Sequence, residues 1–90
     1  MQVGVATIGS NGSLLKKGAP VTFNSPFSSV PVVVATPLQG TNYPDPTISD
    51  TFAVTVTKVT TTGFTVNVYR VDGGTGWGQN LRLGWFAEAD

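Results

Sequence analysis

The chain has no cysteine and no histidine among its 90 residues. Zinc and haem sites usually take their ligands from these two residue types, so we expect no metal and no other cofactor. The Ser-His and Cys-His pairs that activate nucleophiles are impossible in their usual forms. Charged residues make up only 11% of the chain, which leaves little material for acid–base catalysis. The composition therefore predicts a protein that is not an enzyme.

The few charges that are present balance each other. Five Lys and Arg residues stand against five Asp and Glu residues, which gives a net charge of zero. Without a broad basic surface we expect neither nucleic acid nor an anionic membrane as a partner. The longest apolar run, residues 30–35, is too short to insert across a bilayer. The N-terminus lacks the basic start and long apolar core of a signal peptide, so none is expected.

The length favours one small domain over residues 1–90. A domain of this size buries only roughly 60–65% of the surface that its unfolded chain exposes. Small domains of this kind are often held together by disulfides, which this chain cannot form. We therefore expect another source of stability, such as self-association.

The pattern of apolar and polar residues predicts an all-β fold. Val- and Thr-rich segments separated by turn residues predict six strands and no helix. These strands are expected at residues 2–8, 20–24, 30–38, 50–59, 64–71 and 81–85. Gly63 is expected to supply the positive φ of a tight turn between the fourth and fifth strands. The fold class that fits is a six-stranded antiparallel β-sandwich.

Some strands are apolar on both faces, which one sandwich cannot cover. In the third strand Val32 and Val34 lie opposite Val33 and Ala35. Further apolar side chains are expected on the face away from the core, namely Tyr69, Val71 and Phe86. A strand that is apolar on both faces is usually covered on both sides. The pattern predicts a homo-oligomer, with loops folding over the strand as the alternative.

Residues 71–80 form a glycine-rich segment that carries Trp77 and three polar side chains. An exposed indole could stack on the apolar face of a sugar, while Asp72, Gln79 and Asn80 could bind its hydroxyl groups. The alternative is that Trp77 folds back to cap the sandwich or fills a subunit interface. A second candidate surface is the loop at residues 40–46, where Tyr43 could contact a ligand. The alternative there is a rigid connection held by prolines.

Four segments together resemble a known family. The chain reads TFNSPF at residues 22–27, PVVV at 31–34, TTGFTV at 61–66 and WFA at 85–87. This order resembles the H-type lectins and the related tips of phage tail fibres, over about residues 20–87. The resemblance implies a six-stranded sandwich that assembles as a trimer. It also implies that sugars of the galactose or N-acetylgalactosamine type bind in clefts between protomers.

The resemblance can be carried to individual positions of this chain. The family's sugar-binding arginine corresponds to Thr51 in this chain. The family's tryptophan corresponds to Val71 and the polar residue beside it to Asp72. Trp77 corresponds to the aromatic residue of the family's last hairpin. One expected function is a multivalent lectin whose partners are glycans and further copies of itself, as a trimer or a dimer of trimers. The alternative is a virion structural protein, either a capsid decoration trimer or a tail-fibre tip, with other virion proteins as partners. Either function implies an extracellular or virion-surface location.

Overall fold

The computed structural model describes residues 1–41 and 50–89, which form six β-strands and no helix. The strands are β1 (Gln2–Asn11), β2 (Lys16–Thr22), β3 (Val32–Leu38), β4 (Phe52–Thr57), β5 (Gly63–Arg70) and β6 (Trp77–Glu88). Within these ranges nothing resembles a membrane-crossing helix. The molecule measures 40 × 22 × 16 Å along its principal axes.

The six strands form two three-stranded antiparallel sheets that pack face to face. The first sheet has the order β1-β6-β3 and the second the order β2-β5-β4. The predicted six-stranded antiparallel β-sandwich is therefore confirmed. The longest strand of each sheet lies in its centre, β6 in the first sheet and β5 in the second. The backbone of each central strand therefore forms hydrogen bonds with a neighbouring strand on both sides.

The predicted bounds were wrong for the second and sixth strands. β2 begins at Lys16 rather than residue 20, because Lys16 and Lys17 pair with β5 while Lys16 keeps its ammonium group in solvent. β6 begins at Trp77 rather than residue 81, because Trp77 pairs with Asn11 of β1. Four of the ten residues in the segment 71–80, which was predicted to be a loop, are therefore regular strand.

The core lies between the inner faces of the two sheets. Its fully buried side chains are Leu81, Leu83, Val66 and Val68. An aromatic cluster fills one end, where the ring centroid of Phe23 lies 5.7 Å from that of Phe64 and 5.6 Å from that of Trp85. Gly4 lies against Trp85, and an added Cβ atom would come within 2.7 Å of the indole. The glycine therefore leaves room for the ring to lie flat under β1.

The turn between β4 and β5 does not use Gly63 as predicted. The residue with positive φ there is Lys58, at 53°, and Gly63 lies outside the left-handed region. Gly63 is needed for another reason, since an added Cβ atom would collide with the carbonyl oxygen of Val21 on β2. The close approach of two strands, rather than the shape of the turn, accounts for this glycine.

The outer faces of the two sheets differ in chemistry. The first sheet exposes a group of large apolar side chains, Val3, Val5, Val32, Val34 and Phe86. They form one contiguous patch, because Val3 and Val34 flank Phe86 in register on the two neighbouring strands. We call it the valine face. The outer face of the second sheet carries mainly short or polar residues, with Tyr69 as its large side chain.

Candidate functional site

The β1–β2 and β5–β6 connections meet at one end of the sandwich, beside the described ends of the β3–β4 connection, residues 39–41 and 50–51. The backbone N–H of Gly76 donates to the carbonyl of Leu14 at 3.0 Å, which joins the β5–β6 connection to the β1–β2 turn. Arg70 then reaches across to Asp50 at the start of β4. Loops at the end of a sandwich are a frequent place for binding sites, because a rigid scaffold holds them.

A polar cleft of about 480 Å³ opens between two of these connections. We call it the loop cleft; its lining residues are Ser10, Asn11, Gly12, Arg70, Thr75, Gly76, Trp77 and Gly78. The volume lies within the range of small-molecule sites, roughly 300–1,000 Å³. The cleft offers hydroxyl groups, backbone groups and one guanidinium group, and so can both donate and accept hydrogen bonds.

Arg70 is held rigidly at the side of the loop cleft. Its Nε donates to Asp72 at 2.8 Å, its Nη1 to the carbonyl of Gly76 at 2.7 Å, and its Nη2 pairs with Asp50 at 3.0 Å. Charge-assisted hydrogen bonds of this kind have strong directional preferences. The guanidinium group is therefore fixed in place before any ligand arrives, and two of its five N–H groups have no partner among the residues that the structure describes.

Asp72 acts as a structural clamp for this arginine and for the β5–β6 connection. Its carboxylate accepts hydrogen bonds from the backbone N–H groups of Gly74 at 2.9 Å and Thr51 at 3.0 Å, as well as from Arg70. The hydrogen bond from Gly74, followed by that from Arg70, lowers the pKa of the Asp72 carboxyl below its ordinary value. The Asp72 carboxylate in turn raises the pKa of Arg70, mainly through their hydrogen bond. Asp72 was predicted to bind sugar hydroxyls, but its oxygens already have partners within the chain.

We expect Asp72→Asn to reduce stability at neutral pH and to flatten the acid side of the stability profile. A carboxyl whose pKa is lowered by folding stabilises the native state above its ordinary pKa of about 3.9. That contribution is lost as the pH falls below this value and through the folded-state pKa. Urea unfolding of both proteins between pH 7 and pH 2.5 measures it. A difference between wild type and variant that stays constant over this range would contradict the role of Asp72.

Glycines in the β5–β6 connection permit close packing rather than ligand contact. A Cβ atom at Gly74 would lie 2.5 Å from the guanidinium carbon of Arg70. A Cβ atom at Gly76 would collide with the carbonyl oxygen of Gly12, and Gly76 has a φ of +68°. Both positions thus need glycine for the connection to lie against Arg70 and the β1–β2 turn.

Trp77 is buried, so the prediction of an indole that is presented to solvent was wrong. Its side chain is only 4% exposed, and its Nε1 donates to the carbonyl of Gly9 at 2.8 Å. The ring packs edge-on against Phe52 with centroids 4.9 Å apart. The alternative, in which Trp77 caps the sandwich, describes the chain correctly. Trp77 still borders the loop cleft from the inside.

Gln79 is also buried and holds the two ends of the β3–β4 connection together. It is 2% exposed; its Oε1 accepts a hydrogen bond from the backbone N–H of Gly40 at 2.8 Å, and its Nε2 donates to Asp50 at 3.0 Å. A separate, smaller cleft of about 240 Å³ lies beside it. Gln79 was predicted to bind sugar hydroxyls; its amide is used instead to anchor a loop.

We expect Gln79→Leu to lower the free energy of unfolding by about 1–3 kcal/mol, because the N–H of Gly40 and an oxygen of Asp50 lose their partner in a buried place. Hydrogen exchange at the Gly40 amide should accelerate. The amide of Phe27, which donates to the carbonyl of Thr61 at the other end of the sandwich, is the internal control. Equal acceleration at both amides would show that the loss is global and not a release of this loop.

Of the two remaining predicted site residues, Asn80 does not line the loop cleft and Tyr43 is not described by the structure. Asn80 lies on β6 with an exposed side chain, outside the cleft lining. Tyr43 falls outside the described residues, as do its neighbours at positions 42 and 45. Within the described ranges, no group of three acidic side chains lies close enough together to hold a metal ion.

The sequence interpretation missed the residues that line the cleft on the β1–β2 side. In the sequence, Ser10, Asn11 and Gly12 indicate only a turn, and nothing about Thr75 marks it as a site residue. A signal was present in Arg70 and Asp72, because an arginine and an aspartate two residues apart at a strand end often form a local ion pair. This pair marks the point where the connections meet.

Comparisons with known proteins agree with this architecture. A family model described as the H-type lectin domain matches residues 19–87. No curated protein sequence matches the chain. Among solved structures, the tailspike gp61 of Pseudomonas phage phi297 superimposes with a TM-score of 0.74 at 20% sequence identity, covering 99% of this chain and 15% of the tailspike chain. The likeness concerns the fold, and this chain spans only a small part of the tailspike's length. Because the family match covers well over half of the residues, the chain belongs to the H-type lectin domain family.

Proposed function

We propose that the protein is a non-enzymatic glycan-binding domain that works as a homotrimer at the surface of a phage virion. The observation that carries the proposal is the loop cleft, a polar recess held rigid by the Arg70 network in a chain of the H-type lectin family. Binding groups that are fixed in advance lose little conformational entropy when a ligand arrives.

The chemistry of the loop cleft suits a neutral sugar. Arg70 keeps two N–H donors that have no partner among the described residues, and the two carboxylates of Asp50 and Asp72 outweigh its single positive charge. The amide of Asn11 donates to the carbonyls of Leu14 and Lys16, which turns its oxygen into a fixed acceptor. Ser10 and Thr75 add exposed hydroxyl groups. Alternating donors and acceptors match sugar hydroxyls, and the family favours the galactose or N-acetylgalactosamine class or a related glycan.

The valine face supports self-association. It exposes a row of valines around Phe86, whose ring is 43% exposed. Beside Phe86 lies a shallow apolar depression of about 270 Å³, where Gly84 leaves no side chain. Contiguous apolar patches on soluble proteins commonly mark interaction surfaces. Three copies packed through this face would supply the stability that 90 residues lack and would give multivalent binding, which strengthens weak single sites.

A structural role in the virion is the second candidate function, as a decoration trimer or a tail-fibre tip. The specific observation in its favour is the likeness in fold to part of a phage tailspike. The family's arginine position is occupied by Thr51, whose N–H instead donates to Asp72. Under this alternative the domain is a rigid knob, and the loop cleft contacts another virion protein rather than a glycan.

A steric block of the loop cleft separates the two candidates. Gly12 lines the cleft, and an added Cβ atom there would meet no other atom within 4 Å, so a large side chain can be introduced without strain. We expect wild type to bind galactosides or bacterial polysaccharides on a glycan array, and Gly12→Trp to weaken that binding at least tenfold.

The matched control is Ser13→Trp, which places the same side chain on the next exposed residue, outside the cleft lining. It should bind as wild type does. Equal binding by wild type and Gly12→Trp would show that the sugar site lies elsewhere. The absence of binding to every glycan by wild type would favour the structural role.

A further inference from the structure

We propose that the outer face of the second sheet is a separate binding platform for anionic glycans, distinct from the loop cleft. We define the Tyr69 platform by the six residues Lys16, Gly18, Ala53, Thr55, Asn67 and Tyr69. All six are exposed, and they come from all three strands of this sheet. Because the valine face belongs to the opposite sheet, self-association through that face leaves the platform open to solvent.

The Tyr69 ring lies on a flat and nearly bare surface. It stands on the central strand β5, is 42% exposed, and is flanked in register by Lys16 on β2 and Ala53 on β4. One step along the strand, Asn67 is flanked by Gly18 and Thr55. Ala53 and Gly18 are short, so neither of these side chains shields the ring. An accessible aromatic face of this kind is what the apolar face of a sugar ring packs against.

Two polar side chains, Thr55 and Asn67, lie near the Tyr69 ring at distances that are set by the geometry of the β-sheet. Residues paired across strands lie about 5 Å apart, and residues two apart on one strand about 7 Å apart. Asn67 therefore lies about 7 Å from Tyr69 along β5, and Thr55 is its cross-strand partner, so a glycan of two or more sugar units on the ring can reach both side chains. The Asn67 oxygen lies 3.4 Å from the position of an added Cβ atom at Gly18, so this amide leans over the glycine. No described residue hydrogen-bonds the Asn67 side chain, which leaves it ready for a ligand.

The charge of the platform selects the class of glycan. Lys16 is its one charged residue, and no described acidic group pairs with the Lys16 ammonium. At the loop cleft, in contrast, two aspartates outweigh the single positive charge of Arg70. A cation beside an aromatic ring fits a sugar that carries a carboxylate. The six platform residues include a single large apolar side chain, and Val71, two residues after Tyr69, is also exposed. A protein partner fits less well, because the centre of a protein interface usually needs a larger apolar surface than these two side chains provide.

The test titrates the intact protein with alginate, polygalacturonate and α2,8-linked polysialic acid, each beside its carboxyl-reduced neutral form. We expect at least one acidic polysaccharide to bind more tightly than its reduced form. Tyr69→Ala should weaken that binding about tenfold, and Tyr69→Phe, which keeps the ring, only slightly. Lys16→Gln should weaken it about two- to fivefold and reduce its salt dependence, as for an exposed ion pair.

The variants also keep this proposal separate from the function of the loop cleft. Gly12→Trp should leave acidic-glycan binding unchanged even where it abolishes binding of neutral sugars. Three results would overturn the platform: no acidic polysaccharide binds, Tyr69→Ala binds as wild type, or the reduced forms bind equally well. A loss of oligomer mass in Tyr69→Ala would instead assign the face to contacts between copies and would also overturn it.

Discussion

Replacement of Trp77 by alanine is expected to lower the free energy of unfolding by about 3–5 kcal/mol, the usual cost of removing a large buried aromatic side chain. The indole is almost fully buried, donates a hydrogen bond to Gly9 and packs edge-on against Phe52. It also joins the start of β6 to β1. In a small domain whose total stability is about 5–15 kcal/mol, such a loss leaves a large fraction of the chain unfolded at moderate temperature.

Urea unfolding followed by circular dichroism measures this effect. Trp77→Phe is the matched control, because it keeps a ring against Phe52 and loses mainly the hydrogen bond to Gly9, so its loss should be less than half as large. Wild-type stability in Trp77→Ala would contradict the buried position. A loss of glycan binding in Trp77→Ala follows from unfolding alone and does not identify Trp77 as a sugar contact.

Val34→Glu is expected to convert the proposed trimer of about 28 kDa, three copies of a 9.4 kDa chain, into a monomer. Val34 lies in register beside Phe86 in the centre of the valine face. A carboxylate buried there between copies would have no partner, which costs several kcal/mol per copy. In the isolated chain Val34 is 48% exposed, so the substitution should leave the fold itself intact.

The matched control is Val71→Glu, which makes the same change at a residue of similar exposure, 53%, outside the valine face. It should remain a trimer. Sedimentation equilibrium at micromolar concentration, with circular dichroism to verify folding, distinguishes the outcomes. A folded wild-type monomer, or a trimer that Val71→Glu disrupts and Val34→Glu does not, would contradict the assignment of the valine face.

Much of the fold could be predicted from the sequence, because the alternation of apolar and polar residues along a strand shows which side chains face the core. In β5, Phe64, Val66 and Val68 alternate with Thr65, Asn67 and Tyr69, which predicts one apolar face, and the structure buries all three apolar side chains. The apolar outer side of β3 was equally visible, and Val32 and Val34 are exposed there in the isolated chain. The strand ends were less predictable, since a lysine pair at the start of β2 and a glycine-rich approach to β6 do not look like strands.

The candidate site could be predicted only in part, because its geometry depends on contacts between distant segments. Gln79 and Trp77 are chemically suited to sugars, but the pairing of Trp77 with Asn11 turns their stretch of chain into strand. β6 then directs both side chains inward. The lining of the loop cleft combines the β1–β2 turn with an arginine about 60 residues further along the chain. A contact between segments so far apart cannot be predicted from the pattern of neighbouring residues. Glycines that suggested an open tip, such as Gly74, instead permit close packing.

The most direct test of the central claim is an amide NMR titration of the ¹⁵N-labelled protein with the tightest-binding neutral glycan from the array. The loop cleft predicts that the largest shift changes fall on the amides of Ser10, Gly12, Thr75 and Gly78 and on the Nε–H of Arg70. Amides of the second sheet, such as those of Thr55 and Asn67, should not move. Shift changes centred on the second sheet or on the valine face, with the loop-cleft amides unchanged, would contradict the account.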